Sequence, residues 1–353
     1  MVAWAAAVFL NWLNSNDELA ISAFAVVINE NHTMVIAHLS GGLGNQLFQY
    51  AMARQVSMRL GVELRLDLFS YRSDTNRRFA LEAYALPTQP ACWRDVFRLF
   101  PTMAISRLAP RPIYDRYWRY LNLMGVRARC RHRIMDNWQK AGNLPLRQKG
   151  IIAERQLTFD PDVLNISDNS LIVGLWQNQN YFRDIREQLL VDFRVSTTPC
   201  QKDESLLRRM AELESVAMHV RRGDKVGRTD FKATSLGYCV HAMNEMKRRL
   251  RKPEFFIFSD DHAWLSSNLE CGDNITIVSH HDELEPHEDL RLMSSCKHQI
   301  IASSSLSWWA AWLNERDDKI VLTPPASHWI QHPAHDTSQI LPLNWHVLNC
   351  DED

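Results

Sequence analysis

The stretch Ser215-Val-Ala-Met-His-Val-Arg-Arg-Gly-Asp224 decides the fold. A short and mostly apolar run, 215–218, leads into two adjacent arginines and a Gly-Asp pair, which indicates a strand that ends in a loop. Arg221 and Arg222 would then lie at the carboxyl end of the strand, where open α/β sheets bind ligands. A guanidinium group matches phosphate bidentately and stays charged when partly desolvated. The stretch therefore predicts a diphosphate clamp; a surface pair making weak salt bridges is the alternative.

Strands and helices alternate on both sides of this stretch, a pattern typical of parallel, doubly wound sheets. Strands are predicted at 35–39, 62–68, 171–175, 215–220, 254–258, 274–278, 298–302 and 319–322. Helices are predicted from the end of a glycine-rich turn to residue 60, and at 238–250, 262–269, 287–296 and 306–314. We predict two Rossmann-like domains facing across a cleft, an N-terminal domain at 34–195 and a ligand-binding C-terminal domain at 196–353. The connector at 195–199 forms their boundary.

Bulk composition excludes several classes of protein. The chain has 353 residues, 46% of them apolar and 23% charged, which is typical of a globular protein with a sizeable core. A net charge of −1 gives no general case for binding nucleic acid. The seven cysteines are widely spaced without a C-x-x-C pair, which argues against a zinc site or a disulfide scaffold and indicates reduced thiols in a cytosolic protein.

The N-terminal residues 1–33 differ from the rest of the chain. Their two apolar runs, 1–13 and 19–28, are both shorter than the roughly 20 residues needed to cross a bilayer. No Lys or Arg precedes Arg54, so the basic flank of a signal peptide is missing. We expect Met34 to be the true start and 1–33 to be a dispensable extension; a protein beginning at Met34 that lost folding or activity would contradict this.

A glycine-rich turn, Gly41-Gly-Leu-Gly-Asn-Gln46, connects the first predicted strand to the first predicted helix. Such turns bring backbone N–H groups and a helix N-terminus close to an anion or a sugar. The third glycine of G-x-G-x-x-G is missing, so a dinucleotide fingerprint is a weak match. Glycines that only permit a tight turn are the alternative interpretation.

A basic and aromatic segment extends from Cys92 to Arg133, with ten arginines and two aspartates. Such a surface is able to face anionic lipid or phosphate. A solvated, arginine-rich helix face is the alternative that the composition favours.

Further polar groups follow the other predicted strands of the second half. Ser303-Ser-Ser305 leads into a helix, where hydroxyl and N–H groups bind phosphate well, although helix capping explains them equally. Asp289 is able to accept from the N1–H and N2 amino group of guanine, or to stabilise a helix dipole. The pair at 260–261 lacks carboxylate partners for a metal, so helix capping by one of its members is the plainer account.

Taken together, these segments closely resemble glycosyltransferase family 11, the α-1,2-fucosyltransferases of bacterial type. The matching segments are GGLGNQLFQYA (41–51), GLWQNQNYF (174–182), HVRRGD (219–224), FSDDHAWLSSN (258–268) and EDLRLMSSCKHQIIASSSLSWWAAWLN (288–314). They come in family order and span residues 34 to about 325. The resemblance implies the two-domain architecture called GT-B, GDP-β-L-fucose as donor, inversion at fucose C1, and no required metal or other cofactor. The N-terminal domain would then face the acceptor.

The resemblance also implies roles for individual residues. Arg221 and Arg222 would hold the diphosphate and neutralise the departing GDP. The other residues that the resemblance assigns to the donor site are His219 and Asp289 at the nucleoside, Ser304 and Ser305 at phosphate, Asp224 of the HVRRGD motif, and Gly41, Gly42, Gly44, Asn45 and Gln46 of the facing loop.

Two departures from the family pattern stand out. Family members often have Asn and Phe around the two serines, where this chain has Ser303 and Leu306. After HVRRGD the chain continues with 225–227, Lys-Val-Gly, which resembles the core α-1,6-fucosyltransferases with their catalytic glutamate shortly afterwards. Asp230 is therefore a candidate for the general base, and a solvated loop aspartate is the alternative.

The leading functional hypothesis is transfer of fucose to a sugar 2-hydroxyl, on a galactose-terminated and lipid-linked glycan such as an O-antigen repeat. Transfer to another position, as in an α-1,6 enzyme, is a second hypothesis, and a non-catalytic GDP-sugar-binding module is a third. The missing anchor favours a cytoplasmic protein at the inner membrane face, with 92–133 contacting anionic lipid. No nucleic acid partner is expected.

Overall fold

Two parallel β-sheets flanked by helices organise the computed structural model. The structure describes residues 33–92 except 73, 75 and 76, residues 95–96, and residues 150–349 except 230, 270, 271, 283 and 330–335. The predicted extension and nearly all of the basic segment at 92–133 lie outside the described residues. Within the described part of the chain, no helix is long and apolar enough to cross a membrane.

The first sheet has the strand order β3-β2-β1-β5-β4, and all of these pairings are parallel. Its strands are β1 (Met34–His38), β2 (Glu63–Asp67), β3 (Gln89–Pro90), β4 (Ile151–Ala153) and β5 (Ser170–Val173). The central strand β1 buries Val35, Ile36 and Ala37 in succession. A strand covered on both faces needs such a continuous apolar run, which is why this segment contains no polar alternation.

The second sheet has the order β11-β10-β9-β6-β7-β8 and is also parallel. Its strands are β6 (Glu214–Val220), β7 (Pro253–Ser259), β8 (Ile275–Val278), β9 (His298–Ile300), β10 (Val321–Thr323) and β11 (His346–Val347). β6 is paired with β7 over seven residues and with β9 on its other side. Residues 215–224 thus form a central strand of this sheet and the loop that leaves it.

Seven α-helices cover the two sheets in the described part of the chain. They are α1 (Leu43–Leu60), α2 (Arg186–Asp192), α3 (Gln201–Glu212), α4 (Leu236–Arg249), α5 (His262–Asn268), α6 (Pro286–Ser295) and α7 (Ser305–Leu313). Short 3₁₀ turns occur at Phe69–Arg72, Leu81–Ala83, Pro161–Asn165, Gln179–Tyr181, Arg183–Ile185, Gly223–Lys225 and Ala326–His328. The predicted α/β class with two Rossmann-like sheets, the GT-B architecture, is confirmed.

Helix α1 begins earlier than the sequence pattern predicted. The glycine-rich turn was expected to extend to Gln46, but the helix already begins at Leu43. Gly42 is its N-cap in an extended conformation, and only Gly41, at φ 76°, needs the left-handed region that favours glycine. Gly44 is therefore a helical residue whose missing side chain serves packing instead of turn formation.

Aromatic side chains fill the contact between the two halves of the chain. Phe48 of α1 lies 4.9 Å from Trp309 of α7, and Phe182 stacks on Trp309 at 5.3 Å between ring centroids. Trp309 also donates from Nε1 to the carbonyl oxygen of Gly44 at 3.0 Å. This cluster fixes the N-terminus of α1 beside the N-terminus of α7, and so places the glycine-rich turn next to the serine loop.

Candidate functional site

The carboxyl end of β6 brings the two predicted clamp arginines into an ordered loop. Arg221 donates from its backbone N–H to Thr234 Oγ1 at 3.0 Å, and its carbonyl oxygen accepts from Thr234 N at 3.0 Å. Its guanidinium group reaches Asp224 Oδ1 at 2.7 Å and Asp260 Oδ2 at 2.8 Å. The Arg221 side chain remains 22% exposed, so part of it is available to a ligand while its direction is fixed.

Arg222 is held by a different set of contacts. Its Nη1 donates to the carbonyl oxygen of Thr234 at 2.6 Å, and its Cζ lies 4.0 Å from the centroid of the Trp264 ring. Its Nε is buried, makes no hydrogen bond, and lies 3.7 Å from Asp261 Oδ2. A guanidinium group stacked on an indole keeps its planar edge oriented, which suits bidentate binding of phosphate oxygens.

Asp260 connects the two arginines from the end of the neighbouring strand β7. It accepts from the backbone N–H of Arg222 at 2.8 Å in addition to the ion pair with Arg221. A Cβ at Gly223 would lie 2.4 Å from Asp260 Oδ2, so this close approach requires glycine. Asp261 caps helix α5 by accepting from Trp264 N at 3.0 Å, as predicted for one member of this pair.

A residue from the first half of the chain, Arg77, completes this cluster. Its Nη2 lies 2.8 Å from Asp224 Oδ2. Burial alone would raise the pKa of Asp224, but Arg221 and Arg77 outweigh burial and hold that pKa below its usual range. Asp224 therefore stays a carboxylate and joins the two halves of the molecule. Sequence reasoning missed Arg77 because nothing in its local sequence indicates a contact 147 residues away.

His219 lies beneath the loop near the end of β6 and is 6% exposed. Burial lowers its pKa to about 4, with the positive charge of Arg221 acting in the same direction and the carboxylates of Asp260 and Asp289 opposing it. The imidazole is therefore neutral at neutral pH, and its Nδ1 is buried without a hydrogen-bond partner among the described residues. A neutral ring offers one donor and one acceptor to a bound group.

The serine loop is anchored by Lys225, a residue that sequence reasoning did not assign to the site. Its Nζ donates to the carbonyl oxygen and, at 3.0 Å, to Oγ of Ser303. Burial and the nearby Arg221 lower the pKa of Lys225 to about 8. Ser304 is the N-cap of α7, but its side chain makes no capping hydrogen bond. Ser303 is thus structural, whereas the half-buried Ser304 and Ser305 keep hydroxyl groups at the helix N-terminus.

The glycine-rich turn lies against this loop from the opposite side. A Cβ at Gly44 would lie 2.5 Å from the backbone of Ser305 and Leu306, so glycine permits the close packing. Asn45 accepts from Gln177 Nε2 at 2.9 Å and is half-buried. Gln46 is fully buried. Its amide donates to the carbonyl oxygens of Gly41 and Arg78 and accepts from Ala80 N, so its hydrogen bonds hold the loop itself.

Asp289 lies in the first turn of α6 and contacts a histidine. Its Oδ1 is 2.7 Å from Nδ1 of His281, whose Nε2 is 3.0 Å from Oδ1 of the buried Asp203. Burial would lower the pKa of His281, but the hydrogen bonds with Asp289 and Asp203 outweigh burial and raise it to about 9. The imidazolium thus orients Asp289 and leaves its second oxygen, Oδ2, outside this contact.

The carboxyl edge of the first sheet also carries ordered polar groups. His38, at the end of β1, lies 2.7 Å from Asp67 Oδ2 through Nδ1 and 2.9 Å from Ser70 Oγ through Nε2. Glu154 follows β4 and accepts from the backbone N–H groups of Leu175 and Trp176. Asp230, the predicted general base, lies outside the described residues.

Comparison with known proteins identifies the family. The family model described as glycosyl transferase family 11 matches residues 147–349. An α-1,2-colitosyltransferase of Escherichia coli is 27% identical over 323 residues, which cover 89% of this chain and 98% of the relative. A galactoside α-(1,2)-fucosyltransferase 1 of Leontocebus fuscicollis is 28% identical over 285 residues, covering 77% of this chain and 63% of the relative.

Another relative, the O-antigen biosynthesis glycosyltransferase WbnK of Escherichia coli, is 27% identical over 311 residues, covering 81% of this chain and 92% of the relative. Among solved structures, the fucosyltransferase NodZ from Bradyrhizobium has a TM-score of 0.46 at 14% identity, covering 80% of this chain and 93% of that chain. The family model matches more than half of the chain, including the arginine loop and the serine loop, and the protein therefore belongs to glycosyltransferase family 11.

Proposed function

We propose that this protein transfers L-fucose from GDP-β-L-fucose to the 2-hydroxyl of a galactose-terminated glycan, with inversion at fucose C1. The observation that carries the proposal is the oriented pair Arg221 and Arg222 at the carboxyl end of β6, beside the N-terminus of α7. Relatives described as α-1,2-fucosyl- and α-1,2-colitosyltransferases support the chemistry and the linkage.

The donor would lie between the two sheets. Its diphosphate would bind the guanidinium groups and the hydroxyl and N–H groups at Ser304 and Ser305, because a helix N-terminus favours an anion. The guanine would bind Asp289, in the first turn of α6, and the neutral His219, near the end of β6. The fucose would face the loop formed by Gly41, Gly42, Gly44 and Asn45, which Gln46 holds in place.

The rate would come mainly from stabilising the departing GDP. The glycosidic bond to the diphosphate lengthens in the transition state, and negative charge accumulates on the leaving oxygen. Cationic groups fixed before the reaction stabilise that charge without reorganisation. We propose that the arginines perform this task and that transfer requires no metal. Turnover that persists after treatment with EDTA is the expected result; loss of turnover that Mg²⁺ or Mn²⁺ restores would contradict it.

The acceptor hydroxyl must lose a proton during transfer. Asp230 is our first candidate for the base, from its place after the HVRRGD motif. A second candidate is favoured by one observation: the buried carboxylate of Asp67 orients His38 at the carboxyl end of β1, three residues before Gly41. An imidazole held by a carboxylate is a common arrangement for general bases.

Substitution of each candidate distinguishes the two bases. The variant that removes the base should lower kcat by about 10²-fold or more and abolish the acidic limb of the pH profile. If Asp230 is the base, we expect Asp230→Asn to lose turnover and the acidic limb, and His38→Gln to retain the wild-type pH profile. If His38 is the base, we expect His38→Gln to show the loss and Asp230→Asn to retain the profile. Retention of the wild-type profile by both variants would exclude both residues.

Donor and acceptor identity require a direct assay. GDP release should be measured with GDP-fucose and with the GDP derivative of colitose, which is fucose without its 3-hydroxyl, across a panel of galactosides. A site that hydrogen-bonds the 3-hydroxyl discriminates strongly against the deoxy sugar. We expect GDP-fucose to be preferred and the product to be α-1,2-linked. Preference for the colitose donor would make the protein a colitosyltransferase, and an α-1,6-linked product would assign it the other linkage. GDP binding without GDP release, whichever acceptor is present, would indicate a non-catalytic binding module. Each of these results would overturn the proposal.

We also propose that the protein acts on a lipid-linked glycan from the cytoplasmic side of the inner membrane. The arginines between 92 and 133 would contact anionic lipid, an interaction that salt screens. Binding to anionic vesicles that weakens as salt rises is the expected result. Equal binding to neutral and anionic vesicles would contradict the membrane contact.

A further inference from the structure

A cluster of three chemically different side chains lies at the edge of the second sheet. Cys200 directly precedes α3, Asp203 is in the first turn of that helix, and His280 follows β8. One ligand atom from each lies within 4.8 Å of the others. We propose that Cys200, Asp203 and His280 form a zinc-binding site.

The distances between the three side chains are those of hydrogen bonds, so that protons lie between the groups that zinc would join. The Cys200 thiol donates to Asp203 Oδ2 at 3.2 Å, and Asp203 Oδ1 lies 2.7 Å from Nε2 of His280. Ligands around a tetrahedral zinc ion lie about 3.3–3.8 Å apart, as follows from bonds of about 2.0–2.3 Å. Asp203 and His280 would therefore move apart by about 1 Å, and no pair of ligand atoms, all within 4.8 Å of one another, would have to close by more than about 1 Å. The thiol proton leaves on binding, so that the thiolate and the neutral imidazole become ligands.

The ligand types select zinc over the hard divalent cations. A thiolate and an imidazole beside one carboxylate form a mixed set that zinc prefers, whereas Mg²⁺ and Ca²⁺ prefer oxygen ligands throughout. Asp203 is only 1% exposed, while Cys200 is exposed to solvent. The ion would enter from the Cys200 side, and that side leaves a fourth position for water.

A second layer of contacts already supports the central ligand. His281 approaches both oxygens of Asp203 through Nε2, at 3.0 and 3.1 Å, and its Nδ1 lies 2.7 Å from Asp289 Oδ1. Outer hydrogen bonds of this kind fix the orientation of a metal-binding carboxylate. They also place the zinc site two hydrogen bonds away from Asp289 and apart from the two arginines. This role for zinc is independent of the metal-free transfer proposed above.

The sequence alone argued against zinc because no C-x-x-C pair is present. The ligands come instead from a C-x-x-D segment and from a histidine 77 residues after its aspartate, brought together where the loop after β8 meets the first turn of α3. Only the tertiary structure shows this juxtaposition.

Zinc binding to the full-length protein, stripped of metal by a chelator, tests the site. We expect one equivalent to bind, with a rise in Tm that saturates at that ratio. Co²⁺ in place of zinc should give a thiolate charge-transfer band. Cys200→Ser and His280→Asn should each weaken zinc binding by more than about 100-fold, and His281→Gln by about 10–100-fold. Cys92→Ser, at another exposed cysteine, should bind like wild type.

Two results would overturn the site. One is the absence of stoichiometric zinc binding by the wild-type protein. The other is unchanged affinity, or an unchanged Co²⁺ band, in Cys200→Ser, which would place the metal on other residues. Cys200 is exposed, so its substitution by Ser tests the ligand without disturbing the core.

Discussion

At the scale of single residues, the site is a cluster of charges that is nearly balanced without a ligand. Its cationic side chains are Arg77, Arg221, Arg222 and Lys225, and its carboxylates are Asp224, Asp260 and Asp261. The excess of one positive charge attracts a diphosphate, while the carboxylates keep the arginines in position when no donor is bound. Ion pairs that preorganise cations in this way contribute to function more than to stability.

Glu154 gives the protein a pH-dependent stability of predictable sign. Burial raises its pKa to about 7, against backbone hydrogen bonds from Leu175 and Trp176, whereas the ordinary value is 4.5. Between these values the folded state binds more protons than the unfolded state, so the free energy of unfolding falls as pH rises. The fall in the free energy of unfolding that Glu154 causes reaches about 1.4 kcal/mol for each unit of rising pH.

Urea unfolding of wild type and Glu154→Gln across pH 4.5 to 8 measures this contribution. The difference in the free energy of unfolding between the two proteins should change with pH mainly below pH 7 and become constant above pH 7. A difference that is independent of pH throughout would contradict the raised pKa. Asp162→Asn, at an exposed carboxylate, serves as the control.

The grouping of single residues in space was predicted well where one continuous motif contained them. Arg221, Arg222 and Asp224 form one cluster, as the continuous HVRRGD motif suggested. Arg77 was missed because its role depends on contact with the other half of the chain. Gln46 was predicted at the donor, but its buried amide is fully used by the protein backbone, which a motif does not reveal.

At the scale of elements, the helix N-termini of α1 and α7 are packed against each other through one glycine. A Cβ at Gly44 would overlap the backbone of Ser305 and Leu306, and backbone does not move aside as a flexible side chain would. Overpacking of this kind costs about 1–3 kcal/mol or more.

Gly44→Ala should therefore lower the free energy of unfolding by about 2 kcal/mol or more. Gly42→Ala is the matched control, because its Cβ would meet atoms no closer than 3.9 Å at a φ of −80°. Thermal or urea unfolding of both variants measures the difference. Equal stability of the two variants would show that the two helix ends are not in close contact.

The predicted elements agree with the structure wherever hydrophobic periodicity was strong. Strands β6 and β7 and helices α4 and α6 begin and end within two residues of their predicted bounds. The start of α1 was predicted four residues too late, because glycine was interpreted as a helix breaker where it serves helix packing. The two-residue strands β3 and β11 are too short to leave a periodic signal.

At the scale of the whole molecule, one hydrophobic cluster extends over both sheets, from β1 and α1 to α6 and α7. Trp309 is fully buried within it and contacts Phe48, Phe182 and Phe193. Because the two sheets share this core, we expect them to unfold together. The sequence predicted the two sheets, but it did not predict that the Trp-rich helix would join them.

Trp309→Ala should lower the free energy of unfolding by about 3–5 kcal/mol. Trp309→Phe should cost less, since it keeps most of the ring but leaves the Gly44 carbonyl without its donor. Wild type should unfold in one transition that fluorescence and far-UV circular dichroism report at the same urea concentration. Separate transitions of the wild-type protein would contradict a shared core.

The central claim is that the guanidinium pair stabilises the departing GDP, and the turnover of Arg221→Ala with GDP-fucose tests it most directly. Arg248→Ala is the control, because that arginine is exposed and pairs with Glu245 away from the site. Arg221→Ala should lower kcat by about 10²-fold or more while Arg248→Ala keeps wild-type turnover. A folded Arg221→Ala protein with turnover within twofold of wild type would contradict the claim.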